Sequence, residues 1–228
     1  MDRTDTYIRF FDISLSALFL LMLVPLFIVV ATALKFTGEG EIFFLQDRIG
    51  KGGKKFKLIK FATMLKDSPN MALGTLTMKN DPRILPFGKI LRKTKINELP
   101  QFINVILGDM SIIGPRPQTE QCFLAFPEDT QKRIIEVKPG VSGIASIVFR
   151  NEEEMLEGDA EDKKEFYDRV IAPYKGKVEE WYIDNRNLYI YLMLIFLTAC
   201  VIIFPEIKIY KKIFSGLPQP PPELRRWI

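Results

Sequence analysis

Between Leu91 and Pro117 the chain reads LRKTKINELPQFINVILGDMSIIGPRP, a stretch rich in groups suited to phosphate chemistry. Arg92, Lys93 and Lys95 precede Asn97 and Glu98, and Arg116 is held between Pro115 and Pro117. Guanidinium groups make forked contacts with phosphate oxygens, so arginines in this setting are candidate phosphate ligands. Pro100 is tolerated in the first turn of a helix but not in its interior. The pattern therefore predicts a helix from about Asn97 to Leu107, ended by Gly108. Asn97 and Glu98 would then lie at a helix N-terminus, where free N–H groups and partial positive charge suit a phosphate. Asn97 also has a plainer reading there, as a helix N-cap.

Composition removes many alternatives. The 228 residues contain no histidine, which excludes His-based general bases, His metal ligands and every Ser-His or Cys-His pair. Cys122 and Cys200 lack metal-ligand spacing and read as buried hydrophobes in a cytosol-facing domain. The net charge of +4 matters only as local clusters, which suit phosphates or anionic lipid. Aromatic residues gather beside the apolar runs rather than among the cations, so nucleic acid is not an expected partner.

The elements around the motif follow from local patterns. Residues 41–66 predict a β-hairpin, with strands about Ile42–Leu45 and Phe56–Phe61 and a glycine turn at Gly50–Lys54. The turn lacks the Gly-Lys-Ser/Thr of a P-loop. Asn80-Asp81-Pro82-Arg83 predicts a turn, followed by a basic helix from Pro86 to Lys93. The acid-rich run from Glu152 to Asp168 predicts a solvated helix face. Ile13 to Leu34 carries no charge and, at ~1.5 Å rise per residue, is long enough for a ~30 Å hydrocarbon core. Pro25 lies mid-run and predicts a kink, and cations flank both ends. The positive-inside rule then places both ends on the cytoplasmic face, which a re-entrant helix satisfies and a simple span does not. Leu188 to Phe204 is a shorter apolar run, with Trp181, Tyr182, Tyr189 and Tyr191 at its entrance, and predicts an interfacial helix. The Pro-rich tail predicts an extended segment.

Several of these segments carry a resemblance. The 91–117 stretch, Lys60-Phe61-Ala62-Thr63-Met64, the Lys138–Gly143 loop, Arg150-Asn151 and Trp181 to Asn185 together resemble the bacterial sugar transferases, monotopic phosphoglycosyl transferases. The resemblance covers nearly the whole chain. It implies an α+β fold, with a small cytosolic catalytic domain, a proline-kinked re-entrant N-terminal membrane helix and interfacial helices. The corresponding divisions are residues 1–35, 36–187 and 188–228. It implies an enzyme of the cytoplasmic (inner) membrane that moves a sugar-1-phosphate from a UDP-sugar to a polyprenol phosphate and releases UMP. The product would start an exopolysaccharide, capsule, O-antigen or glycoprotein glycan. Membrane lipid is a further partner, and self-association into a homo-oligomer is left open.

The same resemblance assigns substrate phosphates to Lys60, Arg92, Arg116 and Arg150, and Mg²⁺ to Glu98. A lone carboxylate suits Mg²⁺, which keeps substrate oxygens among its ligands. Two departures stand out. Ala62 replaces a frequent arginine, and Asn97 replaces the aspartate that attacks the diphosphate in the family. Glu98 could take over as nucleophile, though neighbouring helical residues point ~100° apart. The polyprenol phosphate could instead attack directly, with Asn97 orienting it. The third reading is a disabled membrane scaffold that binds UDP-sugar or lipid phosphate without turnover.

Overall fold

The computed structural model describes residues 3–68, 71, 81–150, 152–155, 164–204 and 208–228. Asn80, Asn151 and residues 156–163 of the acid-rich run lie outside them. Helices and two small sheets share one main core, an α+β arrangement.

Helix α1 spans Arg3–Phe36, about 50 Å at ~1.5 Å per residue, and is continuous through Pro25. Ile8, Asp12 and Ser16 in its first half are buried against the domain, and so are Val30 and Leu34 near its end. Between them Leu18, Leu21, Met22, Val24, Ile28 and Val29 are exposed. Polar side chains fix the start. Arg9 donates to the carbonyls of Val105 at 2.6 Å and Ile106 at 2.9 Å. Asp12 accepts from Ser111 Oγ at 3.0 Å, the Ile112 N–H at 2.8 Å and Tyr191 Oη at 2.8 Å.

The expected hairpin is present and longer than its apolar runs. Strand β1 (Phe43–Ile49) pairs antiparallel with β2 (Lys55–Phe61), Phe43 opposite Phe61 and Ile49 opposite Lys55. Gly52 and Gly53 take positive φ in the turn, 69° and 74°, which glycine adopts at little cost. The free edge of β2 is covered by one side chain. Asn104 accepts from the Ile59 N–H at 3.0 Å and donates to the Lys57 carbonyl at 2.8 Å. Asn104 belongs to α3 (Gln101–Leu107), which therefore docks on the hairpin as a substitute strand partner.

Helix α2 spans Pro86–Lys93, as its leading proline and basic end predict. A β-carbon on its Gly88 would lie 2.2 Å from the Thr63 carbonyl oxygen, so only glycine allows this approach to the chain after β2. The helix expected from Asn97 does not start there. Lys95 adopts left-handed φ 59° and stops α2, and Ile96–Glu98 form a separate 3₁₀ turn. Pro100 caps α3 without a side-chain hydrogen bond, and Gly108 ends it at φ 95°. Asn97 is thus neither an N-cap of α3 nor part of it.

Strand β3 (Ser111–Ile113) pairs in parallel with β4 (Gly140–Ser142). Helices α4 (Glu120–Leu124) and α5 (Glu128–Ile134) lie between the two strands in the chain, and α6 (Ile144–Val148) and α7 (Glu152–Met155) follow β4. A π-helical turn at Tyr167–Ile171 leads into α8 (Ala172–Asn185). Helix α9 (Leu188–Ile203) buries Ile190, Tyr191, Leu194, Leu197 and Val201 in the main core. Its other face exposes Tyr189, Leu192, Phe196, Ile202 and Ile203. After α10 (Tyr210–Ile213) the tail returns to the core through Leu224 and Ile228. Cys122 and Cys200 are half-buried rather than enclosed.

Candidate functional site

Three separate pieces of chain bring cations around Glu98. The first is the hairpin. Strand pairing sets Arg48 opposite Phe56 and Lys60 opposite Phe44, and the period of two places Arg48 and Lys60 on one face. The next residue, Phe61, is buried on the other side with Val30, Leu34 and Leu91. Lys60 therefore sits one residue from the seat of α1. The second piece is α2 and the Ile96–Glu98 turn, which packs against both β2 and α2. It contributes Arg92, Lys95, Asn97 and Glu98.

The third piece is the loop after β3. Gly114 donates its N–H to the Ser142 carbonyl at 2.9 Å, and Gly140 donates to the Pro115 carbonyl at 2.8 Å. The backbones touch so closely that a β-carbon on Gly140 would lie 2.1 Å from Gly114 N. This fixes the start of the loop. Arg48 holds its far side, donating from Nη1 to the Pro117 carbonyl at 3.1 Å. Gln118 Nε2 donates to the Arg116 carbonyl at 3.0 Å. The Arg116 guanidinium then reaches Glu98, Nη2 to Oε1 at 2.7 Å.

Electrostatics follow from this convergence. Burial pushes the Glu98 carboxyl up, but Arg116, Lys60 and Lys95 outweigh it and hold the acid down at about 2. Burial draws the Lys60 ammonium down to about 7; Glu98 opposes the shift, while Arg48, Arg116 and Arg92 add to it. Burial, then Arg116, lowers the Arg48 guanidinium to about 10. Among the described residues, neither Lys60 nor Arg92 makes an ion pair with a carboxylate. The site is a cluster of excess positive charge with one ionised carboxylate in it.

Asn97 lies beside Glu98 with 6% of its surface exposed, and its Oδ1 is buried without a hydrogen-bond partner. Arg150 is half-buried just beyond α6 and makes no side-chain hydrogen bond among the described residues. Its neighbour Phe149 lies under Lys175 Nζ, 5.6 Å from the ring centroid. The structure thus joins Lys60, Arg92, Arg116, Asn97 and Glu98, whereas Arg150 is not among the charges that shift Glu98 or Lys60.

Sequence reasoning passed over Arg48, which belongs to this cluster. Its signal was the alternation of the hairpin, which puts Gln46 and Arg48 on the same face as Lys60. It also missed Glu179, whose Oε1 accepts the Arg116 N–H at 3.2 Å from 63 positions away. No local pattern marks that residue.

No group of three or more His, Cys, Asp or Glu able to hold a metal lies among the described residues. An ionised Glu98 among cations suited to phosphates fits a cation that takes most of its ligands from substrate.

The chain is similar in sequence to known transferases. The UDP-glucose:undecaprenyl-phosphate glucose-1-phosphate transferase of Klebsiella pneumoniae is 36% identical over 196 residues, 84% of this chain and 39% of that protein. The UDP-N-acetylgalactosamine-undecaprenyl-phosphate N-acetylgalactosaminephosphotransferase of Aeromonas hydrophila is 32% identical over 197 residues, 86% of this chain and 43% of that protein. This chain therefore spans less than half the length of either. The exopolysaccharide production protein PSS of Rhizobium leguminosarum bv. phaseoli is 45% identical over 146 residues, 61% of this chain and 72% of that protein. The family model for bacterial sugar transferase matches residues 3–205, from α1 through α9 and across every residue of the cation cluster; the chain belongs to the bacterial sugar transferase family.

Proposed function

We propose that the protein transfers a sugar-1-phosphate from a UDP-sugar to a polyprenol phosphate at the cytoplasmic membrane, releasing UMP and starting a glycan on its lipid carrier. The observation that carries this reading is the imbalance of charge in the cluster. Arg48, Arg92 and Arg116 all act on Lys60, and the one carboxylate that opposes them at Lys60 and at Arg48 is Glu98. Such a cluster suits a polyphosphate ligand. The names of the Klebsiella and Aeromonas relatives specify a UDP-sugar and undecaprenyl phosphate, both of which bring phosphates to one site.

The residues divide the work by their chemistry. Arg92 and Arg116 offer forked donors to phosphate oxygens, and Lys60 offers a compact charge between them. Glu98, held at about 2 and bonded to Arg116, is a weak base. It suits a Mg²⁺ ligand better than a nucleophile, and Mg²⁺ would neutralise charge on the diphosphate. Asn97 offers an amide at the place of the family's aspartate. We therefore assign direct displacement. An oxygen of the polyprenol phosphate bonds to the sugar-side phosphorus, and the bond from that phosphorus to the bridging oxygen breaks. UMP departs with the electron pair, and Asn97 orients the incoming phosphate.

The membrane arrangement is part of the same reading. Both ends of α1 rest on one domain, while its middle exposes apolar side chains. A helix that crossed to the opposite face would carry one of these ends away from the domain. Entry and exit on the cytoplasmic face therefore suit the contacts, and Pro25, which cannot bond to the Leu21 carbonyl, gives a place to bend. The exposed apolar face of α9 suits lipid as well.

The test is UMP release from a UDP-sugar with Mg²⁺, with and without polyprenol phosphate, together with mass spectrometry of the intact protein. Lipid-dependent UMP release without a phosphosugar adduct, even after rapid quenching, is the expected result. An adduct on Glu98 would overturn direct displacement. UDP-sugar binding with no UMP release would mark the chain as a scaffold.

A further inference from the structure

The chemistry above leaves a buried carboxyl on α8 unused. Glu179 is 2% exposed, its Oε1 accepts the Arg116 N–H at 3.2 Å, and its Oε2 is buried without a partner. Arg116 is thus gripped twice, through its backbone by Glu179 and through its guanidinium by Glu98. Lys175, one turn earlier on α8, gives its ammonium to Glu152 at 2.7 Å. Burial pushes the Glu179 carboxyl up to about 8, against the pull of the Arg116 N–H and the charges of Lys175 and Arg116, so it carries its proton at neutral pH.

An acid group enclosed with one oxygen unpaired is a burden on the fold, which an apolar side chain of similar size would not impose. What Glu179 supplies is a fixed acceptor for the middle of the Gly114–Pro117 loop. We propose that Glu179 is a positioning residue, which sets the backbone at Arg116 so that the guanidinium meets both Glu98 and the substrate diphosphate. The role rests on the phosphosugar-transfer reading. It reaches beyond the motif itself, since Glu179 meets the Arg116 backbone rather than its guanidinium.

Glu179→Gln copies the neutral acid and keeps the acceptor, whereas Glu179→Met keeps the volume and loses it. Both are compared with Arg116→Ala in the full chain in detergent. UDP affinity is measured by calorimetry with Mg²⁺, UMP release in the presence of polyprenol phosphate, and thermal midpoint alongside. Glu179→Gln should stay within threefold of the parent. Glu179→Met should melt no lower than the parent yet lose tenfold or more in UDP affinity or in kcat/KM. Combined with Arg116→Ala it should add less than twofold, because it acts through Arg116. Parent-like binding and turnover in Glu179→Met, beside an impaired Arg116→Ala, would overturn the positioning role alone. So would losses that multiply in the double variant. A parent chain that neither binds UDP nor releases UMP would overturn the transfer reading and this role with it.

Discussion

Replacing Arg116 by lysine keeps a cation beside Glu98 and removes the fork. The expected loss in kcat/KM is at least tenfold, about 1.4 kcal/mol in transition-state binding, read by UMP release at subsaturating UDP-sugar. Arg92→Lys should behave alike, and parent-like rates in both would mean that neither holds phosphate. Lys60 titrates near 7. Its charge is present below that value and fades above it, so UDP affinity should fall as pH rises from 6 to 8, and Lys60→Met should flatten that profile. Asn97→Asp places an acid where the family resemblance implies one, and mass spectrometry is expected to detect a phosphosugar adduct in that variant and none in the parent. At this scale Arg92, Asn97, Glu98 and Arg116 were legible because one continuous stretch carries them. Arg48 and Glu179 were not, because they meet the Gly114–Pro117 loop across 69 and 63 positions. Such meetings are decided by packing.

Among the elements, the dock between α3 and the hairpin depends on one amide. Asn104→Ala would strip partners from the Ile59 N–H and the Lys57 carbonyl together. At ~1–3 kcal/mol for each buried polar group left unpaired, a loss of about 2 kcal/mol or more is expected in denaturant unfolding. Lys95 offers the opposite case. Its left-handed φ of 59° is strained for a side chain with a β-carbon. Lys95→Gly should relieve about 0.5–1 kcal/mol of that strain while weakening UDP binding, since a cation near Glu98 is removed. The same residue explains why one sequence expectation held and the next did not. Helix α2 was legible from Pro86 and its basic end. The helix expected from Asn97 was not, because Pro100 marks a helix start without saying how many residues precede it. The left-handed turn at Lys95 consumed Ile96–Glu98 in a turn of their own.

For the whole molecule, the arrangement of α1 makes a prediction about sidedness. Cysteine introduced at position 2 and at position 40 should both resist an impermeant reagent in intact cells and react after lysis. Labelling of position 2 from outside would establish a true span. The apolar runs announced both long apolar helices, yet only the structure shows that α1 is also a core element, through Ile8 and the Asp12 hydrogen bonds. That last feature bears on how the protein is made. Asp12 takes its partners from Ile112 and Tyr191, which follow it by 100 and 179 positions. At a synthesis rate of ~5–20 residues per second, Tyr191 leaves the ribosome about ten to forty seconds after Asp12. Until Ser111 and Ile112 emerge, about midway through that interval, the carboxylate has none of its folded-state partners, and the Tyr191 hydroxyl joins them only at its end. The first half of α1 therefore keeps a provisional setting during synthesis, and its final seat is fixed only when nearly the whole chain has been made.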